Sequence, residues 1–194
     1  MNKSKNLRAK IGVLFWFVLI LWLIEIINLV TGYRLNNFGI YPRKLYGLYG
    51  IIFAPFLHGG LTHLLLNTIP LTIMGGIIIV RSIKEFLSIS LFIILFSGII
   101  IWFVGRPAYH VGASGLIFGY FGYLIARGWF ERTVSSILIA AVILILYGGM
   151  IFYIMPSHSQ VSWEAHLFGF ITGIIGARIF NRKNKILENN IERG

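Results

Sequence analysis

Five stretches of this chain are too long and too apolar to be the buried faces of a soluble domain. Residues 11–30, 61–80, 86–104, 134–155 and 161–180 are almost free of charge, and about 20 such residues at 1.5 Å each cross the roughly 30 Å hydrocarbon core of a bilayer. Charged residues make up only 12% of the 194 and mean hydropathy is +0.83, so no large soluble domain fits beside the spans. The expected class is an all-α membrane protein. Cys and Asp are both absent, which removes disulfides, thiol chemistry, Cys-ligated zinc and any aspartyl dyad. Ser, His and Glu chemistry remains.

A sixth window, from Ser114 to Ala126, is short: as a helix it reaches roughly 20 Å. Charge decides in its favour. With it counted as a span, 13 of the 17 Lys and Arg fall on one side, leaving Arg34, Arg43, Lys44 and Arg106 on the other. The positive-inside rule then places both termini in the cytoplasm of a six-span, multi-pass protein of the cell membrane. The implied organisation is a basic N-terminus over residues 1–10, a membrane domain over 11–180 and a basic tail over 181–194. The net charge of +11 sits beside the spans, where anionic lipid headgroups account for it without nucleic acid. The first 30 residues lack a small-residue cleavage site and read as an uncleaved anchor. The loop 31–60, with Tyr33, Tyr41, Tyr46, Tyr49 and the run Ile51, Ile52, Phe53, is expected to lie in the membrane interface.

Polar side chains inside spans need a partner or a purpose. Ser114 stands in Gly112-Ala113-Ser114-Gly115 at the start of the short helix, where free N–H groups favour a developing negative charge; it is also a plausible N-cap. His166 opens the last span, whose Ala165, Gly169, Gly173 and Ala177 form a small-residue stripe. Gly115, Gly119, Gly122 and Ala126 offer a matching face. Docking these faces would bring an imidazole to the Ser114 hydroxyl as a general base; a packing histidine bonded to a backbone carbonyl is the alternative. His63 and Asn67, at i and i+4, share a helix face and could donate to an oxyanion or bond neighbouring helices. Leu64 follows His63, so the zinc-protease pattern is absent and no metal is expected. Glu164 lies about 200° around the helix from His166 and cannot support its ring from the same face. Glu25 has no visible partner and reads as a structural acid.

Across residues 45–180 these motifs, in this order, resemble the rhomboid family of intramembrane serine proteases in its six-helix bacterial form. The resemblance rests on H-x-x-x-N at His63 and Asn67, G-x-S-G around Ser114, and A-H-x-x-G at Ala165, His166 and Gly169. It implies a rhomboid-like bundle with a short, submerged fourth helix, Ser114 as nucleophile and His166 as base. His63, Asn67 and the Ser114 N–H would form the oxyanion hole, and His58 would anchor a loop. Gly112, Phe118 and Gly169 would support the site. Two positions depart from the family pattern: Tyr49 and Gly50 replace a frequent Trp-Arg pair, and Phe118 replaces a Tyr that stacks on the imidazole. The implied activity is an endopeptidase without cofactor, acting near the outer face on single-span membrane proteins, with water reaching the site through loops such as "PSHSQ". A non-catalytic membrane chaperone would usually lack the Ser or the His. A transporter would need polar groups along its whole depth, whereas these cluster in the outer half.

Overall fold

The computed structural model describes residues 3–155 and 162–192, which are almost wholly helical. Six long helices answer to the six windows: α1 (Lys3–Val30), α3 (Leu61–Arg81), α4 (Ile83–Val104), α5 (Ser114–Glu131), α6 (Val134–Tyr147) and α7 (Trp163–Glu192). A one-turn α2 (Gly50–Phe53) interrupts the loop between α1 and α3, and a 3-10 stretch, Gly148–Ile154, extends α6. Among the described residues α1, α3, α4 and the α6 extension are long and apolar enough to cross a membrane. The architecture is an all-α helical bundle, as the sequence leads one to expect.

The ends differ from the sequence expectation. Helix α1 starts at Lys3 rather than after the basic segment, and α7 continues through the expected tail to Glu192. Charged residues interrupt an apolar window without interrupting a helix, because Lys and Arg are good helix formers. Helix α5 likewise runs past Ala126 to Glu131; its 18 residues extend about 27 Å. It stays shorter than α1, α3 and α4. Arg127 is buried and ion-paired with Glu85 (3.4 Å) and Glu131 (2.9 Å). Arg81 pairs with the same two carboxylates, so two Arg and two Glu tie the α3–α4 turn to the end of α5.

Helix α5 is the centre of the bundle: every residue from Gly115 to Leu124 is buried. Its outward-facing apolar groups join Leu64, Leu71, Met74, Phe86, Ile89 and Ile93 in one core. Against α7 the contact is backbone on backbone. A Cβ added at Gly169 would lie 2.1 Å from the Gly115 carbonyl oxygen, and one at Gly173 2.0 Å from that of Gly119.

The loop 31–60 is held down by backbone. Ile40 and His110 exchange both hydrogen bonds of a single antiparallel bridge. Arg43 donates to the carbonyls of Phe103 and Gly105, and the Trp102 indole donates to that of Lys44. At Gly50 no side chain fits, since a Cβ would meet Ile40 N at 2.1 Å. The missing Trp-Arg pair is thus replaced by other anchors. Ile51 packs onto Gly98 of α4 rather than facing water.

Candidate active site

The loop 105–113 delivers the chain into α5, and its last residues are fixed one amide at a time. Gly112 has φ +119, a conformation that favours glycine, and a side chain there would press on the His63 ring at 2.9 Å. Its N–H donates to the Ala54 carbonyl (2.8 Å), and the Ala113 N–H donates to His58 Nε2 (3.3 Å). Ser114 is the first residue of α5, so its own N–H has no intrahelical acceptor. Among the described residues, the Ser114 hydroxyl has no hydrogen-bond partner and faces a cavity of about 870 Å³.

His63 and Asn67 look into the same cavity from α3. The Gly59 N–H donates to His63 Nδ1 (3.4 Å); with Nδ1 accepting, the neutral ring carries its proton on Nε2. That nitrogen and Ser114 Oγ are 3.2 and 3.7 Å from the point where a Gly112 side chain would begin. Asn67 is 7% exposed and its Nδ2 has no partner. A buried donor left unpaired costs about 1–3 kcal/mol.

His166 lines the cavity as well. Its ring stacks on Phe118, centroids 4.1 Å apart and planes 9° from parallel. Nδ1 lies 2.8 Å from the Tyr153 carbonyl oxygen; a carbonyl only accepts, so Nδ1 carries the proton and Nε2 the free lone pair. The carbonyl partner is the one the packing alternative expects, and it leaves Nε2 free. The close α5–α7 approach at Gly169 sets His166 beside the first turn of α5, where Ala165 covers Gly115.

One cavity thus collects Ser114, His166, His63, Asn67 and Phe118, while Gly112 and Gly169 shape the backbone around it. Sequence reasoning missed the Tyr153 carbonyl, because a backbone acceptor in a 3-10 stretch leaves no residue-type signal. It also missed the partner of Glu25, which is Asn28 (3.4 Å). Asn28 and Asn36 both donate to the His58 carbonyl (3.1 Å each), so α1 reaches the Ala113 amide through His58. Glu164 does turn away from His166; it meets Arg106 instead. Among the described residues no group of His, Glu or similar side chains could hold a metal ion. The "PSHSQ" segment lies outside the described residues.

Fold and cavity define a membrane-embedded helical protein that gathers a serine, two histidines and an asparagine around one cavity. A family model, the Rhomboid domain, matches residues 46–183. The chain is 38% identical over 174 residues to an uncharacterized protein of Mycobacterium tuberculosis, covering 85% of this chain and 72% of the relative. It is 35% identical over 199 residues to one of Mycobacterium leprae, covering 95% and 79%. It is also 30% identical over 155 residues, covering 75% and 71%, to a Bacillus subtilis protein named "Putative rhomboid protease YdcA". The chain belongs to the rhomboid family.

Proposed function

We propose that this rhomboid is an endopeptidase that cuts membrane-embedded segments near the outer face, with Ser114 as nucleophile and His166 as its base. The observation that carries the reading is the hydrogen-bond state of the cavity: one imidazole with a free lone pair, one with a free N–H, and an unpaired amide, around an unpartnered hydroxyl. Ser114 Oγ attacks a peptide carbonyl and His166 Nε2 takes the hydroxyl proton. The oxyanion is held by the Ser114 N–H, His63 Nε2–H and Asn67 Nδ2–H, and His166 then protonates the leaving amine. Water, with His166 again as base, hydrolyses the acyl-enzyme.

Several features follow from the site and the charge pattern together. A helix hides its amides in hydrogen bonds, so the substrates are single-span proteins whose segments unwind easily near the outer surface. They reach the cavity from the bilayer past Gly148 and Gly149, where none of the described residues lies within 4 Å of an added Cβ. Both termini face the cytoplasm.

The test is turnover of a labelled single-span protein by the full chain in proteoliposomes. Ser114→Ala and His166→Ala are expected at background. Asn67→Ala is expected to lower kcat about 10²–10³-fold with KM little changed, the loss typical of one oxyanion donor. Wild-type turnover in Ser114→Ala refutes the reading.

A further inference from the structure

Glu164 is a carboxylate, 3% exposed, two residues before the proposed base. Its Oε2 has no hydrogen-bond partner, while Oε1 accepts the Arg106 backbone N–H (3.3 Å) and lies 3.6 Å from Arg106 Nε. Arg106 is the second residue of the loop 105–113 that leads into Ser114. A second link runs parallel to the first. His110 Nε2 lies 3.1 Å from the Arg106 carbonyl, and Nδ1 lies 2.6 Å from Ser162 Oγ. Since the carbonyl must accept, Nε2 donates to it and Nδ1 accepts the Ser162 hydroxyl proton. Ser162 Oγ in turn accepts the Ala165 N–H (3.3 Å), which caps the turn that bears His166.

We propose that Glu164 is a positioning residue, clamping the nucleophile's loop at Arg106 to the helical turn that carries the base. The inference rests on the reading of Ser114 and His166 given above. Adhesion alone is a weak reason for the carboxylate. The glycine faces already hold α5 to α7, and burying an ion pair returns little net stability. What the glycine stripe leaves unset is the placement of the loop against the first turn of α7. Nucleophile and base sit on either side of that junction, and a displacement of about 1 Å there can cost up to 10²-fold in rate.

The experiment compares wild type, Ser114→Ala, Glu164→Ala, Glu164→Gln and Ser162→Ala as full chains in proteoliposomes. Competent sites are counted by end-point reaction with a serine-reactive fluorophosphonate, so that kcat is expressed per site. Glu164→Ala is expected to lose about 10-fold or more in kcat with KM within about twofold of wild type. Glu164→Gln, which keeps an acceptor for the Arg106 N–H, recovers most of it. Ser162→Ala gives a smaller loss in kcat and decides the matter if Glu164→Ala does not fold. A wild-type kcat per site in Glu164→Ala, or a loss confined to the number of sites, overturns the clamp. For a non-folding Glu164→Ala, a wild-type kcat in Ser162→Ala does the same. Persistent turnover in Ser114→Ala overturns instead the assignment beneath it.

Discussion

What a histidine does in this protein is decided by what one ring nitrogen touches. His63 and His166 face the same cavity, yet Nδ1 accepts from the Gly59 N–H in the first and meets the Tyr153 carbonyl in the second. The first ring therefore offers a proton to the cavity and the second a lone pair. No carboxylate is needed to orient His166, because a backbone carbonyl fixes one edge and Phe118 fixes the face. Stacking of this kind is worth about 0.5–1.5 kcal/mol. Phe118→Leu is accordingly expected to lower kcat about 2–10-fold, while Phe118→Tyr keeps the ring and the rate. Steady-state turnover of the purified variants checks this; a Phe118→Leu enzyme as fast as wild type would remove the stack from the mechanism.

The α5–α7 pair is the element on which the site depends, and its tolerance is set by carbonyl oxygens rather than side chains. At Gly173 a methyl group would need the space of the Gly119 carbonyl, so the helices must separate. Overpacking costs typically 1–3 kcal/mol. Gly173→Ala is expected to lower the thermal midpoint by several degrees and to lose activity, although it touches no cavity residue. Gly12→Ala in α1, where none of the described residues lies within 4 Å of an added Cβ, gains up to about 1 kcal/mol of helix propensity and is the control; equal midpoints for the two variants would contradict the packing argument. This interface was legible in the sequence because small residues recur every four positions, and the spans were legible because lipid demands unbroken apolar runs. Less could be read where backbone does the work. The Tyr153 carbonyl, the amide tethers of Gly112 and Ala113, and the helical continuation past Arg127 depend on tertiary contacts that no local pattern records.

The ion pairs and the histidines gather at two ends of the molecule, and the two are built differently. Around Arg81, Glu85, Arg127 and Glu131 opposite charges pair. At the Ser114 end, neutral imidazoles beside the Arg106–Glu164 pair hold loops together, and this makes the fold sensitive to mild acid. Burial, and then the neighbouring His63, lower the His58 pKa to about 3. Burial also lowers that of His110, with Arg106 acting in the same direction and Glu164 and the Arg106 carbonyl opposing. In the unfolded chain both titrate near 6.5. Above that pH each is neutral in both states and protonation takes nothing from stability. As pH falls below about 6.5, the unfolded chain binds protons that the folded chain refuses, at a cost approaching 1.4 kcal/mol per pH unit for each fully linked histidine. For His58 the loss continues towards pH 3. Carboxylates of the unfolded chain titrate near pH 4, so from about pH 6.5 to 5 its proton uptake is mainly by imidazoles. Unfolding midpoints across that interval are expected to fall with acidity, and His58→Gln and His110→Gln should each flatten the slope by up to one proton even where they lower the midpoint itself. A slope that neither substitution changes would mean that both rings accept protons without leaving their loops.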